Sequence, residues 1–420
     1  MPVRICCVFG SWQLLSLVAS LRQSTMDGSS PADEEHEDYL LLYETAGVSE
    51  HFKTGLAELA STVWTWKRII WAYDLLTSER KYGQLQIFRI HRLIRDTIGI
   101  DASSAVEIWA CFVNRPSEKI LLDSYPEAKI VLYEDGLTSY LPFEISTMSW
   151  PPGTRFRRRI TGALIAGLST ISPAFRLRKA ADKIERHHLR RVTKFYSLLH
   201  EIPIHDALEN VPRFQVGASL MRDVIDEACR DALSGGNEHC RASANPRILL
   251  LGQALSRNGI MSYAHEAAIY RRIAEQIVER GYDVVWKEHP RISTPFFPEL
   301  LDTIGNVTAD ASTRIMEANL PHIYPIELVV SRMNIVGCVS GTSAALLYLK
   351  WLYGIKTYTF AETLIPLMTG ADILMSEMVK AHAEPFSGLQ SLNATKDPLK
   401  GGSPEQVEHD PLNPTQANSI

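Results

Sequence analysis

The 420-residue chain lacks any apolar run long enough to cross a bilayer. Each one meets a charge or a Gly-Ser break well before the ~18 residues a span requires. Cysteine is sparse and unpatterned. Cys6, Cys7, Cys111, Cys229, Cys240 and Cys338 form no C-x-x-C pair, which argues against a disulfide framework or a zinc knuckle. Cys6, Cys7 and Cys338 lie in apolar, strand-like runs and read as buried free thiols. There is no Walker A spacing and no D-x-D motif. An excess of basic charge is missing too. With 43 Lys+Arg against 48 Asp+Glu the net charge is −5, so no nucleic-acid partner is expected. What remains is ordinary globular usage, 45% apolar and 22% charged, in a chain long enough for two domains.

Strand and helix alternate along most of it. VRICCVF, the turn Gly10-Ser11 and WQLLSLVASL read as strand, turn and helix, although Arg4 before an apolar run also has the outline of a secretory leader. Asp27–Asp38 is polar and carries five carboxylates from Asp33 onward, the composition of a flexible surface loop. Tyr39–Tyr43, Ala105–Phe112 and Ala128–Tyr133 read as strands. Ser49–Val63 and Ser117–Leu122 read as helices, and Trp64–Leu76 and Gln84–Ile98 show helical spacing. The pattern implies α/β architecture with parallel sheets.

Arg155–Lys194 breaks the alternation with 12 Lys/Arg and only Asp182 and Glu185 opposing them. It reads either as a solvated helical connection or as a surface for an anionic polymer or lipid headgroups. Ser234–Pro246 is a polar linker. Beyond it come strand Arg247–Leu251, a helix capped by Ser262 and stopped near Gly281, strand Tyr282–Lys287, and strand Ile335–Ser340 leading into helix Ser343–Tyr353. Periodicity stops near Ala381. The remaining 40 residues hold five prolines and three glycines, which predicts a disordered tail. The expected divisions are therefore residues 1–235, 246–380 and 381–420.

Three polar motifs stand at predicted strand ends, where open parallel sheets bind ligands. Glu134-Asp135-Gly136 offers two adjacent carboxylates before a turn. Neighbours on a strand point to opposite sides, so one can face a cleft as a general base while the other is tied into backbone hydrogen bonds. In Lys287-Glu288-His289-Pro290-Arg291 the imidazole can donate to a phosphate or protonate a leaving oxygen. In Ser340-Gly341-Thr342-Ser343, hydroxyls meet free N–H groups at a helix start, a site suited to phosphate.

Acidic-acidic-Gly, then His-Pro, then paired hydroxyls: in that order these motifs resemble the bacterial sialyltransferase and polysialyltransferase families. FGSWQLL (Phe9–Leu15) is similar to their opening strand–loop–helix, LLLGQAL (Leu249–Leu255) to the first strand of their second domain, and YPIELVV (Tyr324–Val330) to their Pro-x-Glu segment. Thr342-Ser343 departs from the Ser-first form but keeps both hydroxyls.

The resemblance implies two Rossmann-like domains facing a cleft, the GT-B glycosyltransferase type. It implies a metal-independent, inverting transfer of sialic acid from CMP-sialic acid to a glycan or sialylated acceptor, of the kind that builds capsule polysaccharide. No other cofactor is expected. Glu134, Asp135 and His289 are the catalytic candidates. The resemblance favours Glu134 as base, while the residues alone leave Glu134 and Asp135 open. Gly10, Ser11, Pro290, Glu327, Thr342 and Ser343 are the donor-binding candidates, with Glu327 at the ribose. A cytoplasmic location with peripheral membrane attachment through Arg155–Lys194 would suit the implied chemistry. Another capsule-type glycosyl- or glycerophosphotransferase, or a non-catalytic polyanion-binding protein, would carry part of the same pattern.

Overall fold

The computed structural model describes residues 2–28, 36–43, 50–72, 90–113, 116–141, 186–232, 245–289, 298, 314–318, 324–330, 333–368 and 371–386. Cys240, Pro290, most of the acidic loop (29–35), most of the basic segment (155–185) and most of the tail (387–420) lie outside them.

The first half builds one sheet from β1 (Val3–Val8), β2 (Glu37–Leu42), β3 (Arg68–Trp71), β4 (Ala105–Ala110), β5 (Lys129–Tyr133), β6 (Val192–Ser197) and β7 (Arg213–Gln215). Its order is β3-β2-β1-β4-β5-β6-β7 and every pairing is parallel. The helices between are α1 (Ser11–Met26), α2 (Glu50–Val63), α3 (Ile90–Ile98), α4 (Pro116–Ser124) and α5 (Arg186–Arg191). The second sheet uses β8 (Arg247–Leu251), β9 (Asp283–Lys287), β10 (Ile315–Glu317), β11 (Ile335–Ser340), β12 (Lys356–Thr359) and β13 (Glu384–Pro385). Its order is β10-β9-β8-β11-β12-β13, again all parallel, with α7 (Tyr263–Glu279) between β8 and β9. Both orders reverse beside the first strand of the sheet, at β1/β4 and β8/β11, and such switch points open a crevice at the carboxyl ends. This is the two-domain GT-B arrangement.

A long helix, α6 (Ala218–Ala232), follows β7 and packs on α1 and α2 of the first domain and on α8 (Glu327–Val330) and α9 (Ala345–Tyr353) of the second. Its Arg222 guanidinium donates to the Leu352 carbonyl of α9. Residues from both sheets therefore share one core cluster. α1 is buried at every position from Leu14 to Leu21, because it lies between its own sheet and α6.

Several sequence expectations change. Trp64–Leu76 is not one helix, since Arg68–Trp71 is edge strand β3. Its tryptophans serve hydrogen bonds instead: Trp64 Nε1 donates to Asp38 (2.9 Å) and Trp66 Nε1 to the Ala60 carbonyl (2.9 Å). The acidic stretch does not stay loop to its end. Glu37 and Asp38 open β2, and Asp38 is buried in a bidentate pair with Arg4 of neighbouring β1, at 2.6 and 2.7 Å. The end of the basic segment is likewise structure, not connection. Val192–Ser197 pairs with β5, and Arg191 spends its guanidinium on the carbonyls of Leu122, Tyr125 and Ala128. Regular structure also runs past residue 380, through α11 (Ala371–His382) to β13, with the single turn α10 (Ala361–Leu364) before it. The five cysteines within the described residues are buried thiols outside any disulfide. Among the described residues no helix is long and apolar enough to cross a membrane.

Candidate active site

The carboxyl end of β5 delivers Glu134 and Asp135 into different surroundings. Gly136 follows with φ 107°, a backbone conformation L side chains rarely adopt, and turns the chain into the short helical turn Leu137–Tyr140. Glu134 is fully buried. Its Oε2 accepts from the Tyr140 hydroxyl and from the Leu198 and Leu199 N–H groups (2.5 and 3.2 Å). Its Oε1 accepts from the hydroxyl of Tyr348, which arrives from α9 of the other domain. Burial pushes the Glu134 carboxyl up, and these four donors pull against it. Its carbonyl accepts from Ser16 Oγ of α1 at 2.8 Å.

Asp135 is half-buried. Its Oδ1 accepts from Gln13 Nε2 and its Oδ2 from Thr138 Oγ1 at 3.0 Å. Its N–H donates to Ser139 Oγ at 2.8 Å. Gln13 lies in the first turn of α1, so the Gly10-Ser11 loop at the end of β1 is joined directly to the acidic motif.

On the second domain, Thr342 and Ser343 follow β11 and lead into α9. Ser343 Oγ accepts from the Ala345 N–H at 3.3 Å. Thr342 is clasped by Gln253, which lies just past β8. Gln253 Oε1 takes the Thr342 N–H at 3.0 Å, and Gln253 Nε2 donates to Thr342 Oγ1 at 2.7 Å. Gln253 itself is fixed by Tyr270, whose hydroxyl accepts its N–H at 2.6 Å.

His289 is part-exposed, two residues beyond β9. Before it, Glu288 is buried with Oε2 accepting from Trp286 Nε1 at 3.0 Å, and burial lowers the Lys287 ammonium below its ordinary value. Glu327 opens the four-residue α8 and is 4% exposed. Burial pushes its carboxyl up to about 7, opposed by its own backbone N–H. Its carbonyl accepts from the Tyr353 hydroxyl at the far end of α9, at 2.9 Å.

The acidic motif, the Gly10-Ser11 loop and α9 thus meet at one place, where Tyr348 reaches Glu134 and the Trp12 ring lies 4.5 Å from the Tyr348 ring. His289 stands at the carboxyl end of the sheet that carries α9. Glu327 sits apart, beside Tyr353 at the opposite end of that helix. Among the described residues no group of His, Cys, Asp and Glu could hold a metal ion. Sequence reasoning missed Gln13, Tyr140, Gln253 and Tyr348. The readable signal was a glutamine close behind a glycine after the first strand of each domain, at Gly10/Gln13 and Gly252/Gln253.

Two parallel α/β domains meeting at the carboxyl ends of their strands define a glycosyltransferase-type fold. The model of the family "Alpha-2,8-polysialyltransferase (POLYST)" matches residues 4–362, and the chain belongs to that family. It is a glycosyltransferase. No significant match is found among curated proteins. Solved structures with similar architecture include UDP-GlcNAc 2-epimerase from Methanocaldococcus jannaschii, at 11% identity, 86% and 83% coverage of this chain and that one, and a TM-score of 0.46. UDP-GlcNAc 2-epimerase from Neisseria meningitidis bound to UDP-GlcNAc gives 10%, 86% and 82%, and 0.45. The E. coli ADP-heptose lps heptosyltransferase II gives 10%, 86% and 84%, and 0.37.

Proposed function

We propose that the protein transfers sialic acid from CMP-sialic acid to a hydroxyl of a sialylated glycan, with inversion at the anomeric carbon. The observation that carries this reading is the contrast at the end of β5 within a polysialyltransferase chain. Glu134 has both oxygens enclosed by donors and is sealed from solvent, whereas Asp135 is part-exposed on the side of the Gly10-Ser11 loop. Asp135 is the better general base. Glu134 holds the two domains in register through Tyr348.

In this scheme the acceptor hydroxyl gives its proton to Asp135 as its oxygen attacks the anomeric carbon. The bond to the CMP phosphate breaks on the opposite face. His289 donates to the departing phosphate oxygen, and the hydroxyls of Thr342 and Ser343 with the N-terminus of α9 receive its charge. Binding phosphate at Thr342 requires Gln253 to yield the Thr342 N–H it now holds. Gly10, Ser11 and Pro290 would border the donor, and Glu327 would accept from the ribose hydroxyls. Peripheral attachment at the cytoplasmic face through Arg155–Lys194 fits a polyanionic or membrane-linked acceptor. Thermal stabilisation by CMP but not by UDP, together with chain extension of a soluble oligosialic acceptor, tests the proposal. Stabilisation by UDP alone would redirect it to another nucleotide-sugar donor.

A further inference from the structure

The Asp135 carboxylate is not left to find its own orientation. Each oxygen takes a donor from a different segment: Gln13 Nε2 from α1, and Thr138 Oγ1 from the turn after Gly136. Gln13 reaches Asp135 by folding back over Gly10, and a Cβ at Gly10 would collide with Gln13 Oε1. Gly10 has φ −171°, extended backbone that any residue adopts, so this glycine answers to the glutamine and not to the chain path. The loop at the end of β1 is shaped around one amide and the carboxylate it serves.

We propose that Gln13 is the positioning residue of the catalytic base. It fixes the rotamer of Asp135 and favours the ionised form that accepts the hydroxyl proton. The inference rests on reading Asp135 as the base. A donor hydrogen bond to a carboxylate stabilises its charged form, and a second carboxylate in the same place does the reverse. Among the described residues, the titratable groups near Asp135 include Glu134 on its own strand end and Tyr348 from α9, which feels the Asp135 charge, with Tyr140 of the following turn joined to them through Glu134. Both tyrosine hydroxyls are pushed well up by burial and by Glu134, so they stay neutral at the pH of an ordinary assay.

The test is the pH dependence of kcat/KM for sialyl transfer in the full-length protein. Gln13→Glu keeps the shape and replaces the donor by a carboxyl. Its acid limb should move to higher pH by on the order of one unit or more, with activity recovering as pH rises. Gln13→Leu should move the limb the same way by a smaller step. Gly10→Ala leaves Gln13 and Asp135 themselves intact and displaces the amide, so it should shift the limb in the same direction whatever it does to donor binding. A merely structural Gln13 would be satisfied by the isosteric glutamate. A parental acid limb in Gln13→Glu and in Gly10→Ala overturns the proposal. Asp135→Asn separates the two levels: an active Asp135→Asn refutes the reading of the base, whereas an inactive one beside unmoved Gln13 and Gly10 variants refutes the role of Gln13 alone. Should Gln13→Glu fail to fold by thermal melting, Gly10→Ala and Gln13→Leu carry the test.

Discussion

Glu327→Gln gives a stability change whose size depends on pH. The folded protein buries this carboxyl to 4% exposure and raises it to about 7, with its own backbone N–H as the opposing influence. In the unfolded chain this glutamate titrates near its ordinary value of 4.5. Between these values the folded state holds a proton that the unfolded state releases. Stability is therefore highest at low pH and falls as pH rises through that window. At ~1.36 kcal/mol per unit, the loss is complete near pH 8 and amounts to about 3 kcal/mol. Glutamine keeps the shape and removes the ionisation. The variant should be more stable than the parent by up to about 3 kcal/mol at about pH 8, and nearly equal to it at about pH 4.5. Urea denaturation at the two pH values reads the difference. A gap that does not change with pH, or a variant weaker than the parent at high pH, refutes the reasoning. The same variant should bind CMP more weakly, since the proposed ribose acceptor loses its charge. Unchanged CMP affinity in the folded variant removes Glu327 from the donor site.

Tyr348→Phe deletes the cross-domain donor to a buried carboxylate and should cost ~1.5–3 kcal/mol in urea unfolding, together with a fall in kcat/KM. A change below ~0.5 kcal/mol would show that the contact does not hold the domains. His289→Ala should fold normally and lose ~10²–10⁴-fold in transfer, and activity within about threefold of the parent would remove it from the chemistry. Neutralising Arg157, Arg158 and Arg159 together should shorten the products made on oligosialic acceptors and weaken the salt dependence, with little change on a short neutral acceptor. Normal products at low salt would leave that run without a part in acceptor handling.

Much of this was legible in the sequence. The strands ending at Tyr133, Lys287 and Ser340 were visible because buried parallel strands are short apolar runs punctuated by turns. β3 was hidden because an edge strand needs little apolar patterning, and its neighbouring tryptophans fall at helical spacing. β6 was hidden inside a basic segment whose Arg191 is tied to carbonyl groups and not offered to a ligand. Composition counts that arginine as surface charge, and only the fold shows its partners. The pair Glu134-Asp135 could be read as two roles from alternation alone. The proposal that Asp135 and not Glu134 is the base draws on Tyr140 and Tyr348, residues 6 and 214 positions away from Glu134 in the chain. Gln13 and Gln253 were overlooked because an uncharged amide carries no chemistry until its partner is known.

The central claim is that this chain moves sialic acid from CMP with Asp135 as base. The most direct measurement supplies CMP-sialic acid and a soluble oligosialic acceptor to the parent, Asp135→Asn and Glu134→Gln, and follows CMP release with chain extension. The account predicts extension by the parent, loss of ~10²-fold or more in Asp135→Asn, and a smaller loss in Glu134→Gln that tracks its stability. Full activity in Asp135→Asn, or a folded parent that leaves CMP-sialic acid unconsumed, would contradict it.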